Sequence, residues 1–296
     1  MSVVQRVLTG HVSDLGGGMQ VRRLLPAAAQ RAIGPFVFFD HMGPLVQLAG
    51  GHYDVRPHPH IGLATVTYLF EGAMMHRDSL GHVQRIEPGA INWMSAGRGI
   101  VHSERTPEDL RALDRPLHGL QLWVALPRAQ EESEPSFTHT PAQDLPLVQS
   151  AGVSVRVLAG ALGDARSPVR TASPTVYLDV AMTRGSRFDL PPLAAELGVY
   201  VVQGQAFVNA QALNAHELGV LTPQAGDVPT RIEALDDARL AIIGGEPLDA
   251  PRHIWWNFVS SRKERIREAA EAWAADRLGH IEGDTERIPL PDRPLA

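Results

Sequence analysis

Two pairs of metal-binding side chains stand out in this sequence, each with one residue between its members. His58 and His60 form the first pair, and His102 and Glu104 form the second pair 44 residues further on. In an extended strand alternate side chains point to the same face, so each pair can present both donors in one direction. Two such strands facing a common interior would place three imidazoles and one carboxylate around one point. This donor set suits a divalent transition metal with one or two open coordination positions.

The first pair taken alone has a simpler interpretation. The chain contains 13 histidines, so a single His-x-His spacing can arise by chance, and the flanking prolines also fit a loop. The second pair favours the metal site, because it follows a glycine-rich turn and both pairs adjoin apolar β-branched residues that are typical of strands. Three nitrogens and one oxygen suit iron, manganese, nickel, copper and zinc, so the residues do not select one metal.

The elements that would position these residues are predicted to be short strands. Apolar, β-branched runs recur at a spacing of about ten residues between turns rich in glycine and proline, which is typical of a sandwich or barrel. A second set of strands follows the acidic, proline-bearing stretch 128–146, and the run 199–209 echoes the run at 65–72. We therefore predict an all-β protein of two tandem, jelly-roll-like barrels, 1–135 with the metal and 136–296 without one.

The two ends of the chain carry other features. A glycine run at 16–18 predicts a turn between two short strands. Near the other end a helix is predicted at about 261–278, with Ser261 as N-cap and Glu264 three residues later completing a capping box. The prolines that follow Gly283 predict an extended tail.

Composition excludes several classes of protein. The formal net charge of −6 argues against direct binding to nucleic-acid phosphates, which needs a basic surface. The absence of cysteine excludes disulfides, iron–sulfur clusters, zinc–thiolate sites and cysteine nucleophiles. No apolar run of about 18 residues predicts a membrane span, and the first residues lack the apolar segment of a signal peptide. We therefore expect a cytoplasmic protein. Separately, we expect it to act as a monomer.

Three segments resemble the pirin family of the cupin superfamily. They are Arg-Pro-His-Pro-His-Ile-Gly at 56–62, Trp-Met-Ser-Ala-Gly-Arg-Gly-Ile-Val-His-Ser-Glu at 93–104 and His-Gly-Leu-Gln-Leu-Trp-Val at 118–124. The resemblance implies two cupin barrels and one metal in the N-terminal barrel, usually iron, so Fe(II) is the expected ion. The positions that match the family's metal ligands are His58, His60, His102 and Glu104.

One position departs from the family pattern. Ala64 stands where many pirins have a glutamate. In the resembling proteins the ligand glutamate belongs to the second motif, so Glu104 should complete the site without it. The change could alter the hydrogen bonds behind the ligands, the charge of the pocket or the metal preference.

The resemblance implies a metal-dependent dioxygenase as the first hypothesis for function. Some bacterial pirins resemble quercetin 2,3-dioxygenases, which use O2 to open the flavonol heterocycle and release carbon monoxide. Glu104 would take the proton of the flavonol hydroxyl, and the metal would lower the pKa of that hydroxyl. Candidate pocket residues are Phe38, Phe39, Met42 and Gln121, although ordinary strand packing explains these four equally well.

Two alternatives remain open. Some pirins act as metal-sensing co-regulators that bind a protein partner, and in such a protein the loop 44–57 could respond to the oxidation state of the iron. That loop could equally be a plain connector. Another cupin reaction, such as isomerisation, is a third alternative that no residue favours.

Overall fold

The computed structural model describes residues 3–14, 19–222 and 228–292 and confirms an all-β protein with a C-terminal α-helix. The chain divides into two compact units, each assembled from separated stretches of sequence. The first barrel comprises Val12–Arg22, Phe39–Ala142 and Leu248–Ala296, and the second comprises Met1–His11, Arg23–Phe38 and Gln143–Pro247. The predicted turn at 16–18 lies outside the described residues.

These units are not the predicted halves of the chain. The N-terminal strand belongs to the second barrel, and the segment after Leu248 belongs to the first. The division at 135 and 136 therefore stays a prediction about domains, distinct from the compact units of the structure.

The strands follow one another through short connections. In the N-terminal part of the chain they are β1 (Val4–Thr9), β2 (His11–Asp14), β3 (Gln20–Leu25), β4 (Phe36–Gln47), β5 (Val55–His60), β6 (Leu63–Glu71), β7 (Met74–Asp78), β8 (Val83–Ile86), β9 (Ile91–Ser95), β10 (Ile100–Arg105), β11 (Arg115–Ala125) and β12 (Ser136–Thr140). The remaining strands are β13 (Leu147–Ser150), β14 (Val153–Ala159), β15 (Ala161–Leu162), β16 (Ala165–Arg166), β17 (Thr175–Met182), β18 (Arg187–Leu190), β19 (Glu196–Gln203), β20 (Gln205–Val208), β21 (Gln211–Asn214), β22 (Glu217–Leu221), β23 (Thr230–Ala234), β24 (Ala238–Gly245), β25 (His253–Trp255) and β26 (Phe258–Ser260). Short 3-10 helices occur at Glu108–Leu110, Arg128–Gln130 and Ala142–Asp144.

Each barrel contains a seven-stranded and a four-stranded sheet, and the strand orders correspond. In the first barrel the orders are β12-β9-β6-β11-β4-β3-β2 and β5-β10-β7-β8. In the second they are β1-β22-β19-β24-β17-β14-β13 and β18-β23-β20-β21. Position by position, β5 corresponds to β18, β10 to β23 and β7 to β20. This correspondence agrees with the predicted duplication of one barrel.

The interiors of the two barrels differ in polarity. An apolar cluster fills the second barrel and draws on both of its sheets, through residues such as Val199 and Ile242 on one and Leu190 and Ile232 on the other. Burial of this surface is the main force that holds such sheets together. The first barrel has a smaller apolar cluster, and its buried residues also include histidine, threonine, asparagine and aspartate. The first barrel is therefore the one whose interior carries side chains that can bind a metal or transfer a proton.

The C-terminal helix, α1, spans Lys263–Ala274 and packs its apolar face on the first barrel. The predicted capping box is wrong, because the N-cap is Arg262 and no side chain caps the helix. Ser261 is engaged elsewhere: its backbone N–H and its hydroxyl both donate to the carboxylate of Glu131. The local sequence fits a capping box, but Ser261 forms its hydrogen bonds with Glu131, which is distant in the sequence, and not with the first turn of the helix.

The helix also ends earlier than the predicted residue 278. Asp276 has φ +58°, in the left-handed region that stops a helix, and short polar residues tolerate it. The N–H groups of Asp276 and Arg277 donate to the carbonyl groups of Trp273 and Ala272, as in a Schellman motif. Among the described residues no helix is long and apolar enough to cross a membrane.

Candidate metal centre

Three of the four predicted donors converge inside the first barrel. Strands β5 and β10 pair antiparallel, which places His102 opposite His58 and Ile100 opposite His60. All three histidines are buried, and the centroids of their rings lie 4.4 to 5.0 Å apart. One nitrogen from each ring lies within 4.8 Å of the other two, so the three side chains can hold one metal ion.

The Nε2 atoms of His60 and His102 face each other within this cluster. The Nε2 atoms of His60 and His102 are 3.1 Å apart. Metal–nitrogen bonds of about 2.1 Å that reach two nitrogens at this spacing meet at roughly a right angle, which ordinary metal coordination accepts. The donor set therefore fits a divalent transition metal.

The Nδ1 atoms face away from the cluster and are hydrogen-bonded. His58 Nδ1 is 2.9 Å from the carbonyl oxygen of Arg56, and His60 Nδ1 is 3.0 Å from that of Asn257. An Nδ1–H that donates to a carbonyl leaves Nε2 with a free lone pair, which is the tautomer that a metal needs. The backbone therefore fixes both the ring orientation and the tautomer of these two ligands.

The charge state of the triad also suits a metal. Burial lowers the pKa of His58 to about 4, with the hydrogen bond to Arg56 opposing and the nearby His76 reinforcing the shift. Burial and then the neighbouring imidazoles hold the pKa values of His60 and His102 well below the ordinary value. All three rings are therefore neutral at pH 7, and a metal would not have to displace protons from them.

Glu104, the fourth predicted ligand, is held differently. The ligand atoms that lie within 4.8 Å of one another come from the three histidines, and the carboxylate oxygens of Glu104 are not among them. The pairing of β10 with β5 shifts between His102 and Glu104, so that Glu104 lies opposite Val55. Burial raises the pKa of Glu104 to about 7, and a side-chain hydrogen bond with Thr67 partly opposes that shift. Its role as ligand and proton acceptor stays a prediction.

Two strands of the seven-stranded sheet surround these residues. The ring of Trp123 contacts the ring of His60 edge-on, with 5.3 Å between centroids. The Thr67 hydroxyl donates to Gln121 Oε1 at 2.9 Å and also meets the carboxyl group of Glu104. Gln121 is therefore linked to Glu104 through Thr67, and its role in a substrate pocket stays a prediction.

The other predicted pocket residues are buried in strand β4. Met42 lies in the apolar cluster of the first barrel, and Phe38 packs under the guanidinium of Arg23 at 4.4 Å. Phe39 is fully buried. The alternative of ordinary strand packing accounts for Met42 and Phe38, and a pocket role for the three residues remains a prediction.

Ala64 does not face the triad. It lies on β6 next to Thr65, and β11 residues Trp123 and Gln121 pair with Thr65 and Thr67 on the face that contacts His60 and Glu104. Because side chains alternate along a strand, Ala64 points to the opposite face. A glutamate at this position would need a different register to reach the histidine cluster.

The second barrel has apolar residues at the four equivalent positions. Phe188 pairs with Ile232 as His58 pairs with His102, and the next inward-facing residues on these strands are Leu190 and Ala234. These four side chains pack in the apolar cluster of the second barrel. The duplication has therefore kept the fold in both copies but the nitrogen donors in one.

Several residues of the site were not predicted from the sequence. They are Thr67, His76, Asp78, Trp123 and Asn257. Trp123 lies two residues from the predicted Gln121 on the same strand, so strand alternation could have identified it, whereas Thr67 is related to Gln121 only through the pairing of β6 with β11. Asn257 acts through its carbonyl group from nearly 200 residues away, and no local pattern indicates such a contact.

The comparisons with known proteins agree with this geometry. A protein-family model of pirin matches residues 18–124, and a model of the pirin C-terminal cupin domain matches residues 177–279. A pirin-like protein of Caulobacter vibrioides is 42% identical over 98% of this chain and 100% of its own length. A Pseudomonas aeruginosa protein, provisionally named a quercetin 2,3-dioxygenase, is 38% identical over 99% of this chain and 91% of its own length. The crystal structure of quercetin 2,3-dioxygenase from Acinetobacter baumannii superposes with a TM-score of 0.88 at 37% identity, covering 98% of this chain and 95% of that one.

Proposed function

Because the chain belongs to the pirin family, we propose that it is a metal-dependent dioxygenase that cleaves a flavonol such as quercetin. The observation that carries the proposal is the buried cluster of His58, His60 and His102, whose Nε2 atoms are free to bind one ion. Likeness to quercetin 2,3-dioxygenases over nearly the whole chain supports the substrate class. Fe(II) is the metal we propose, with Glu104 as its fourth ligand.

The metal would supply the positive charge that favours the ionised form of a flavonol hydroxyl bound to it. The three histidines would hold the ion through Nε2, while their Nδ1 atoms contact other groups of the protein. The ring of Trp123 packs edge-on against His60 and restricts the movement of that ring. These residues would position the ion and take no proton themselves, because burial holds their pKa values well below the ordinary value for histidine.

Glu104 is the residue suited to move the proton. In the metal-free protein its pKa of about 7 leaves about half of the molecules ionised at neutral pH, and the ionised carboxylate is the form that can accept the proton of the flavonol hydroxyl. The ionised carboxylate can accept a hydrogen bond from Thr67, and the protonated carboxyl group can donate one to it. While Thr67 donates to Gln121 Oε1, its oxygen can accept from the protonated carboxyl group of Glu104, and it can donate to the ionised carboxylate only by giving up the bond to Gln121.

The direct test is turnover of quercetin by the purified protein loaded with Fe(II) under air. We expect loss of the flavonol absorption band together with release of one carbon monoxide per quercetin. His60→Ala should abolish both, because it removes a donor from the cluster. His11→Ala, a change at an exposed histidine on β2, is the matched control and should retain full activity.

A protein that binds metal stoichiometrically but turns over no quercetin would overturn the proposed substrate. The alternative of a metal-sensing co-regulator makes the opposite prediction, namely a stoichiometric protein partner that is recovered with the metal-loaded protein and lost with His60→Ala. Both experiments use the same two variants, so one set of preparations separates the two functions.

A further inference from the structure

A line of hydrogen-bonding side chains extends from His102 away from the metal-binding cluster. His102 Nδ1 is 3.5 Å from His76 Nδ1, and His76 Nε2 is 3.0 Å from Asp78 Oδ2. His82 Nδ1 approaches the same carboxylate from the other side, 3.0 Å from Oδ2 and 3.1 Å from Oδ1. His102 thus differs from His58 and His60, whose Nδ1 atoms meet backbone carbonyl groups.

These residues are held firmly in the four-stranded sheet. In the pairing of β10 with β7, Asp78 lies opposite His102 and His76 opposite Glu104. His76 and Asp78 are buried, and the ring of His76 stacks flat on Phe137 with 4.2 Å between centroids and an interplanar angle of 9°. The Asp78 carboxylate also accepts the backbone N–H groups of Leu80 and His82. The carboxylate therefore has a fixed orientation toward His76.

Only one assignment of hydrogens satisfies the line when His102 binds a metal. Ligation through Nε2 leaves the proton of His102 on Nδ1, which donates to Nδ1 of His76. His76 must then carry its own proton on Nε2, where it donates to Asp78. The distance of 3.5 Å between the two Nδ1 atoms is at the long end for a hydrogen bond.

The second barrel provides an internal comparison. The positions on β20 that correspond to His76 and Asp78 on β7 are Ala206 and Val208, which pair with Ala234 and Ile232. Both are apolar and lie in the core of that barrel. The barrel that lacks the histidine cluster therefore also lacks the histidine–carboxylate pair behind it.

We propose that His76 and Asp78 are positioning residues that hold His102 with Nε2 toward the metal and make it a more basic ligand. The inference rests on the metal site of the proposed function, but not on its substrate. A carboxylate that accepts from the histidine chain increases the electron density at the ligating nitrogen. His82 completes the hydrogen bonds of Asp78 from the half-exposed side.

The test measures metal binding in place of turnover. Co(II) is titrated into the metal-free wild-type protein and into His76→Phe and His76→Gln, and affinity and the visible absorption spectrum are recorded. Phenylalanine keeps the stacking on Phe137 but removes both nitrogens, whereas glutamine can accept from His102 and donate to Asp78. We expect about a 10- to 100-fold loss of affinity and a shifted cobalt spectrum for His76→Phe, with most of the loss restored in His76→Gln.

A purely structural role for His76 would give a different order of Co(II) affinities among the variants. Phenylalanine would then bind cobalt like the wild type, since it fills the same space, and glutamine would be the weaker variant. Equal affinities and spectra in the wild type and His76→Phe overturn the inference and leave the proposed function standing. If the wild-type protein binds no Co(II), both fail. Asp78→Asn, which keeps the shape but removes the charge, is expected to lie between the wild type and His76→Phe.

Discussion

At the scale of single residues, the site combines three side chains that stay neutral with one that titrates near pH 7. Burial lowers the pKa of His58 to about 4 and raises that of Glu104 to about 7. The same loss of solvent disfavours the charged form of both groups, so it moves a base down and an acid up. Between pH 6 and 8 Glu104 is therefore the member of the predicted ligand set whose charge changes.

This difference predicts how metal binding depends on pH. The ionised carboxylate binds metal and the protonated acid does not, so affinity should rise with pH as Glu104 loses its proton. With a pKa of about 7, the ionised fraction rises roughly tenfold from pH 6 to pH 8. Isothermal titration with Ni(II) across this range should show that rise in the wild type and a nearly flat profile in Glu104→Gln. Parallel profiles for the two proteins would show that Glu104 is not a ligand.

The three clustered histidines could be predicted from the sequence, but His76 and Asp78, which contact one of them from outside the cluster, could not. His58, His60 and His102 are recognisable because alternate spacing on a strand aims donors to one side. His76 and Asp78 have the same spacing, yet their meaning depends on the pairing of β7 with β10, which places Asp78 opposite His102. A His-x-Asp sequence in a hairpin gives no indication of that register.

At the scale of the elements, the turn after β5, the strand that carries His58 and His60, packs against the C-terminal segment. Gly62 has φ +69°, and a Cβ there would lie 2.0 Å from the carbonyl oxygen of Val259. Ile61 forms a parallel bridge with Phe258, one residue from the carbonyl of Asn257 that anchors His60. The close approach that glycine permits therefore bears directly on a metal ligand.

Gly62→Ala should lower both stability and metal affinity. The left-handed backbone costs about 1–2 kcal/mol for an L side chain, and the overlap with Val259 adds about 1–3 kcal/mol. Gly50→Ala is the matched control, because Gly50 has φ +70° with nothing within 4 Å of its Cβ position. Urea unfolding of both variants separates backbone strain from the clash, and equal losses would mean that Val259 yields freely.

Strand positions were predictable because the alternating patterns and the glycine turns are local. The hairpin around Leu80 and Gly81 is confirmed in the pairing of β7 with β8. The start of the helix was mispredicted because Ser261 binds Glu131, a residue 130 positions earlier in the chain. Local pattern decides the type of an element, whereas distant partners decide where it begins.

At the scale of the whole molecule, a buried ion pair fastens the C-terminal segment to the first barrel. Arg252 Nε lies 2.9 Å from Glu131 Oε1, with side chains 1% and 5% exposed. Arg252 also donates a hydrogen bond to the carbonyl oxygen of Leu126, and the Ser260 hydroxyl donates one to Glu131. Charges removed from water in this way need each other, because neither keeps a hydration shell.

Arg252→Met should therefore destabilise the protein by about 3–5 kcal/mol, since it leaves the Glu131 carboxylate buried without its cation. The control is Arg262→Met, which breaks the pair with Glu132, where the side chains are 54% and 52% exposed. Exposed pairs of this kind contribute about 0–1 kcal/mol. Denaturant unfolding should rank the two variants in that order, and a comparable loss in both would contradict the role assigned to burial.

The duplicated architecture was predictable from the similar strand patterns of the two halves of the sequence. That the N-terminal strand belongs to the second barrel, and the C-terminal segment to the first, was not predictable. Strand β1 pairs with β22, so Val4 lies opposite Leu221. A pairing across more than 200 residues leaves no trace in local periodicity, because either partner could complete an edge of either sheet. The correspondence of strand orders becomes visible only when the sheets are assembled.

The late position of Asn257 in the chain has a consequence for the order of biosynthesis. Ribosomes release the chain from its N-terminus, and domains commonly fold as soon as they emerge. The strands that carry His58, His60 and His102 emerge early, whereas the carbonyl group that sets the tautomer of His60 emerges more than 150 residues later. A nascent chain can therefore pair these strands before the carbonyl group that fixes the tautomer of His60 has been synthesised.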